Sequence, residues 1–333
     1  ESTMVRASTI HRFLKWNKDH NSFQVNERNK SDVEFVIVDE ASMVDVYLME
    51  SLLRGLKTDT KIILVGDANQ LPSVGPGQVL KDIIESQVTN VITLSKLYRQ
   101  SMESGIVSLA YAINRDQVDI GVFEQKDAFF IPCPSRGIKE HILEISKDYF
   151  EEDDSSFQVL VPMYRGMNGI DEINYSMQNL FNPSSAKTNE IVINGVTFRE
   201  KDKVIQLTNM PDDNVFNGDI GMITHVRNGT KKEVTIDFDG NVVVYTSSDF
   251  SNFKHAYAIS IHKSQGSEFD TVVIPLSKEY GKMLYRKLIY TGVTRAKKRL
   301  YLIGDVDALF MAAHNNEVDI RHTTLAFRLN AKI

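Results

Sequence analysis

The residues best suited to chemistry lie in Val36-Ile-Val-Asp-Glu-Ala-Ser-Met-Val-Asp45. A β-branched apolar run stopping at two carboxylates predicts a buried parallel strand that ends at a switch point, where open α/β sheets bind nucleotides. At such an edge the backbone turns away, and neighbouring acids can converge on one crevice. The chemistry would divide between them. Asp39 would hold a hydrated Mg2+, and Glu40 would orient and deprotonate a water attacking a γ-phosphate. An Asp-Glu pair after a strand also occurs in proteins without nucleotide, so the neighbouring segments carry the decision.

A second apolar run, Lys61-Ile-Ile-Leu-Val65, delivers Gly66-Asp-Ala-Asn-Gln-Leu-Pro72 to the same edge. Gln70 in that loop can donate to a phosphoryl oxygen and accept from a water, which suits a phosphate sensor; an ordinary turn is the simpler reading. Val91-Ile-Thr-Leu94 reads as a further strand leading into Leu97-Tyr-Arg-Gln100, so Arg99 would face the same crevice. Near the other end, Leu284, Leu288, Thr291 and Arg295 share one face of a helix expected over Lys282 to Arg295. That stripe would bring the Arg295 guanidinium to an interface or cleft, or to a salt-bridged helix end.

These segments sit in a chain of 333 residues, 42% hydrophobic and 25% charged, a globular composition with room for two or three domains. A net charge of -6 argues against nonspecific coating of nucleic acid but leaves room for a local basic groove. The single cysteine, Cys133, excludes an internal disulfide and any cysteine-built metal site, as expected in a reducing cytoplasm. The sequence lacks a bilayer-length apolar run, so a soluble protein without membrane contact is expected.

The connecting elements follow from periodicity. Ser8 or Thr9 is placed to cap a short helix, and residues 15–31 form a polar insertion that reads as a β-hairpin, with Trp16 and Phe23 flanking its centre at Asp19 to Ser22. Helices are expected over Asp45 to Leu56, from Val79 to Ile84, around Ile106 to Ile113 and around Ile138 to Tyr149. Between Lys187 and Phe253 the pattern changes to short alternating strands broken by Asn217-Gly, Asn228-Gly and Asp239-Gly240, the signature of an inserted small β-barrel. The α/β pattern then resumes through His262-Lys-Ser-Gln-Gly-Ser-Glu268.

Asp39-Glu-Ala-Ser42, Gly66 to Pro72, Leu97 to Gln100, His262 to Asp270 and Tyr290-Thr-Gly-Val-Thr-Arg-Ala296 stand in the order of the superfamily-one helicase motifs. Their wording, the hairpin before the Asp-Glu strand and the barrel before His262 resemble the RecD-like DNA helicases, the 5′-to-3′ branch. The resemblance implies an α/β fold with two RecA-like lobes of the P-loop NTPase type, a β-hairpin insertion and an SH3-like barrel. It implies a first lobe over 1–98 with its pin at 15–31, a second over 99–186 and 252–333, and the barrel over 187–251. ATP and Mg2+ would bind between the lobes, with Asp39 and Glu40 as the Walker B pair and Gln70 as coupling glutamine. Arg99 and Arg295 would reach the γ-phosphate, and Gly266 and Glu268 would lie by the nucleotide.

Single-stranded DNA and duplex junctions are the implied partners, touched by Thr9, His11, His262 and Ser264, with replication or repair proteins as further candidates. Trp16 and Phe23 would brace the pin. One departure stands out: the Walker A pattern Gly-x-x-x-x-Gly-Lys-Ser/Thr occurs nowhere in the sequence. The chain is therefore expected to be the C-terminal portion of a longer helicase, inactive alone because no phosphate cradle is present. A helicase part of a conjugative relaxase or exonuclease complex would carry the same motifs. A non-hydrolysing DNA-binding remnant would have no need of Glu40, Gln70, Arg99 and Arg295.

Overall fold

The computed structural model describes residues 7–17, 20–94, 104–151, 156–186, 188–316 and 321–331. The chain divides into two units, Glu1–Lys96 with Asp319–Ile333, and Leu97–Val318.

The first unit opens with α1 (Ile10–Phe13), whose cap Thr9 accepts the Arg12 N–H at 3.2 Å. The expected hairpin follows as β1 (Trp16–Asn17) and β2 (Ser22–Phe23), paired antiparallel. Next come β3 (Phe35–Val38), α2 (Val46–Gly55), β4 (Lys61–Leu64) and α3 (Val79–Ser86). The two longer strands are parallel, with Val36 opposite Ile62 and Val38 opposite Leu64. Asp45 caps α2 by accepting the Leu48 N–H at 2.8 Å. Leu14, Val25, Val38, Leu52 and Leu80 are part of the core beneath them.

Three expectations change here. β3 is not buried on both faces: Phe35 and Ile37 are 48% and 64% exposed, and Ile63 and Val65 beside them 45% and 46%. Alternation places these side chains on the face away from the core, and no described element covers it. Val91 to Leu94 form no strand, and Ile92 and Leu94 are almost fully exposed. Apolar β-branched residues make a strand only where a neighbouring ladder accepts them. Finally, residues 319–333, assigned from sequence to the second lobe, group with the first unit. The closing helix Leu325–Asn330 packs on α3, and Leu325 joins the core.

The second unit contains α4 (Gly105–Arg115), β5 (Ala128–Pro132), α5 (Ile138–Glu151), β6 (Phe157–Val161) and α6 (Ile170–Phe181). The inserted module follows: β7 (Glu190–Ile193), β8 (Val196–Arg199), β9 (Lys203–Gln206), β10 (Ile220–Asn228), β11 (Lys232–Phe238), β12 (Asn241–Thr246) and β13 (Phe253–His255). The α/β layer resumes with β14 (Ala258–Ser260), β15 (Phe269–Leu276), α7 (Arg286–Val293), β16 (Ala296–Gly304) and α8 (Val306–His314). The layer's sheet is all parallel in the order β14-β6-β15-β16-β5. β6 is buried throughout, as a strand covered on both faces must be.

In the module the order is β12-β11-β10-β9-β13, with β7 and β8 as a separate hairpin over the same core. Asp239 and Gly240 join β11 to β12 with φ of 52° and 88°, the two positive angles that a two-residue hairpin turn requires. β13 pairs with β9, so the module's sheet runs past the expected border at 251 to His255. The helix expected over Lys282 to Arg295 is shorter. A 3-10 turn at Lys278–Met283, bent at Gly281 (φ 51°), precedes α7, yet Leu284, Leu288, Thr291 and Arg295 are all buried as the stripe required.

A carboxylate fastens module to layer. Asp202, fully buried, accepts from Arg199 N at 2.7 Å, Gln178 Nε2 at 2.6 Å, Asn182 Nδ2 at 2.8 Å and Tyr257 Oη at 2.9 Å. Its Oδ2 also lies 3.0 Å from His255 Nε2. Gln178 lies in α6, Asn182 caps its C-terminal end, and Tyr257 leads into β14, so a side chain of the inserted module is satisfied largely by its host. Burial, then the Asp202 charge, pushes the Tyr257 hydroxyl far up, which keeps it a donor.

Candidate nucleotide-binding and nucleic-acid contact sites

β3 ends because the chain turns sharply. Glu40 adopts φ 50° and ψ 39°, a left-handed conformation that costs a non-glycine residue roughly 1–2 kcal/mol. The Asp39 carboxylate meets this turn by accepting the Glu40 N–H at 2.8 Å. The next residue ties the turn to the neighbouring strand: Ala41 N–H donates to Val65 O at 2.8 Å, and Val65 N–H to Val38 O at 2.8 Å.

Gly66 follows, where a Cβ would be tightly crowded. A Cβ would stand 3.0 Å from Ala41 N and from Leu80 Cδ2, and 3.1 Å from Ser42 N. The loop then closes on itself, with Asp67 Oδ1 accepting Asn69 N–H at 2.9 Å and Leu71 anchored at 2% exposure. Asp39, Glu40 and Gln70 are thus carried on adjoining loops at the C-terminal edge of two parallel strands, where α/β sheets place ligands. Asp39 is exposed, and Glu40 and Gln70 are half-buried.

The donor set fits a hydrated magnesium ion. Mg2+ is usually held by one or two carboxylates, waters and the phosphates themselves. Among the described residues no cluster of three metal-ligating side chains exists. The exposed Asp39 suits that sparse arrangement. Beside it the buried Ser42 hydroxyl has no hydrogen-bond partner among the described residues, an unspent polar group at the same edge.

In the second unit, Arg295 is 3% exposed. Its Nη1 donates to Ser267 O at 3.0 Å and its Nε to Thr291 O at 3.3 Å, so the guanidinium is held by backbone carbonyls of its own unit. Gly266 has φ 76°, an angle that favours glycine, with open space around it. Glu268 pairs with Lys297 at 3.1 Å, both about half exposed, so water competes for this bond. Arg99 lies outside the described residues.

The residues expected to touch DNA divide. His262 is exposed, with Nε2 3.4 Å from Tyr285 Oη. Ser264 is fully buried and its hydroxyl donates to Ile261 O at 2.8 Å, which makes it a builder of the 3-10 turn. In the first unit Thr9 is occupied as a helix cap. His11 is exposed and packs by Phe23 and Trp16, with ring centroids 5.6 and 6.2 Å away. Trp16 and Phe23 meet edge to face at 4.7 Å, so the hairpin's base is braced by aromatic contact.

Sequence reasoning passed over Lys263 and Arg321. Lys263 Nζ donates to Asn217 Oδ1 at 2.5 Å, joining the His262 turn to the module's β9–β10 loop, and partial burial lowers its pKa. Its place inside the His262 motif was the available signal. Arg321 had none.

Family models match in three places. An AAA domain matches residues 1–132, an ATP-dependent RecD-like DNA helicase SH3 domain residues 173–238, and a UvrD-like helicase C-terminal domain residues 255–303. The ATP-dependent RecD2 DNA helicase of Deinococcus radiodurans is 33% identical over 331 residues, covering 99% of this chain and 44% of the relative. This chain is RecD-like. The RecD subunit of the RecBCD enzyme of Mycolicibacterium smegmatis is 28% identical, covering 98% of this RecD-like chain and 60% of that subunit. The chain spans about half the length of these relatives.

Among solved structures, the Pif1 helicase of Candida albicans aligns with a TM-score of 0.54 at 16% identity, over 98% of this chain and 81% of that one. Pif1 helicase from Bacteroides in complex with ADP-AlF3 and ssDNA aligns with a TM-score of 0.52 at 17% identity, over 98% and 83%. At these identities the likeness is one of fold. The RecD-like chain has the α/β architecture of RecA-like helicase lobes with an SH3-like insertion.

Proposed function

We propose that this chain is the larger part of the motor of an ATP-dependent DNA helicase that moves 5′ to 3′ on single-stranded DNA and opens duplexes at junctions, in DNA repair or recombination. The observation that carries the reading is the clamp between the two loops that bear Asp39, Glu40 and Gln70, through Ala41 N–H on Val65 O. In this reading 1–98 with the returning segment 319–333 form the first lobe, 99–186 and 252–318 the second, and 187–251 the inserted barrel.

ATP with Mg2+ would supply the phosphoryl group whose hydrolysis drives movement. Asp39 would hold the metal through water, Glu40 would take a proton from the attacking water, and Gln70 would orient it. Arg99 and Arg295 would stabilise charge developing on the phosphoryl oxygens. Gly266 and Glu268 would line the nucleotide. Thr9, His11 and His262 would border a path for DNA held by phosphate contacts and stacking rather than base-edge readout, with the buried Ser264 shaping the turn that carries His262. The cradle for the β- and γ-phosphates would come from outside these residues, since no Walker A pattern stands among them.

Two measurements test the reading. The complete gene product should hydrolyse ATP when single-stranded DNA is added, whereas the 333-residue chain should not; turnover by the chain alone would contradict the missing cradle. Duplexes with 5′ or 3′ single-stranded tails then settle direction. Preferential opening from the 3′ tail would reject the proposed polarity.

A further inference from the structure

We propose that Arg321 is a positioning residue for the loop that carries Gln70. Residues 71–78 form neither helix nor strand, so their backbone groups need partners from elsewhere. Three carbonyls at alternate positions converge on this one side chain. Arg321 Nη2 donates to Ser73 O at 2.6 Å, and Nη1 donates to Gly75 O at 2.7 Å and Gly77 O at 2.6 Å. A planar guanidinium that stays charged presents a rigid fork of donors suited to gathering several carbonyls at once, whereas an ammonium on a flexible stem is less pre-organised for it. Thr323 adds a hydrogen bond from its hydroxyl to the Asp82 carboxylate, at the start of α3.

The opposite side of the loop is held as well. Val46 N–H donates to Pro76 O at 3.1 Å, and a Cβ at Gly75 would collide with the Asp45 carboxylate that caps α2. The loop is therefore pinned between the start of α2 and Arg321. Only Leu71 and Pro72 separate Gln70 from Ser73, and Leu71 is buried while proline fixes its own φ. A shift at Ser73 has little slack in which to dissipate before it reaches Gln70. A residue that follows the whole Leu97–Val318 unit in sequence thus sets the place of the coupling glutamine in the first unit.

This role rests on the proposed function of Gln70, and the experiment separates the two. Wild type, Arg321→Ala and Arg321→Lys of the complete gene product are compared for ATP hydrolysis with single-stranded DNA, and for amide hydrogen exchange over residues 66–78. Arg321→Ala should lower kcat about 10- to 100-fold, the scale of a small misplacement of a catalytic group. Its KM for ATP should stay within about twofold, because binding is not what Gln70 governs. Exchange over 71–78 should quicken about tenfold, and Arg321→Lys should recover part of both effects. Unchanged kcat beside an active wild type, even with faster exchange, would overturn the positioning role alone. A wild type without DNA-stimulated hydrolysis would overturn the proposed function and this role with it. If the alanine variant does not fold, Arg321→Lys decides, since a full wild-type kcat with loosened loop amides would also reject the proposal.

Discussion

The Asp202 carboxylate lies 3.0 Å from His255 Nε2 in a fully buried setting, where four other groups also donate to it. Burial alone would raise its pKa. The His255 bond and charge, with the Arg199 N–H and Asn182, outweigh that and hold it below the ordinary carboxylate value.

Stability of the second unit should therefore depend on pH on the acid side. A depressed carboxylate contributes stability that is fully present above its unfolded pKa, about 3.9, and is lost as pH falls through the lower folded value. Melting curves followed between about pH 5 and pH 2 should show this loss. Asp202→Asn should flatten that part of the profile and destabilise by about 1–3 kcal/mol at neutral pH, because an amide hydrogen then faces donors. An unchanged slope in the variant would remove Asp202 as its origin.

Glu40→Gln should leave ATP binding in the complete gene product within about twofold and reduce hydrolysis by roughly 10²- to 10⁴-fold, the usual contribution of a general base. Gln keeps the size of the side chain, so the left-handed turn at residue 40 should survive. Turnover near wild type would reject Glu40 as the base.

Arg295→Ala should act at two levels, because its guanidinium both serves Ser267 O and Thr291 O and is proposed to meet the phosphate. Each carbonyl left unpaired costs about 1–3 kcal/mol, visible in urea unfolding of the chain. Hydrolysis should fall by about 10³-fold or more, as for other phosphate-directed arginines. A stability loss without a loss of turnover would assign Arg295 to the fold alone.

Gly66→Ala tests the clamp between the loops. The added methyl group would press on the backbone nitrogens of Ala41 and Ser42, which cannot swing aside as a side-chain tip would. Overpacking of this kind costs about 1–3 kcal/mol. Thermal melting should drop accordingly, and hydrolysis should fall more than melting at the assay temperature explains. A variant as stable and active as wild type would show that the loops tolerate separation.

The edge proposed to bind nucleotide was legible as geometry alone, because Asp39, Glu40 and Gln70 follow two β-branched runs that pair as parallel strands and so stand on adjoining loops. Asp239-Gly240 was legible for a similar reason, since few residue pairs tolerate two positive φ angles. Val91 to Leu94 failed the same logic, because composition says nothing about whether a partner ladder is present. The stripe through Leu284 and Arg295 was right in its burial and wrong in its helix length, since both end residues lie outside α7 and tertiary packing buries them without helical backbone. Arg321 and the Asp202 cluster were illegible. Their partners are backbone carbonyls and scattered polar side chains, which leave no period in the sequence.

The Asp202 cluster also bears on how such a chain can have changed over time. An insertion that exchanged freely between relatives would carry its own polar satisfaction with it, but here the module's buried carboxylate draws on Gln178 and Asn182 before its first strand and on Tyr257 after its last. Cutting and pasting at the visible strand borders would strand an anion in the recipient and leave idle amides in the donor. Inheritance of the barrel should therefore run with those flanking positions as one block, and a chimera that transplants 190–255 alone should fold worse than one that transplants 174–257.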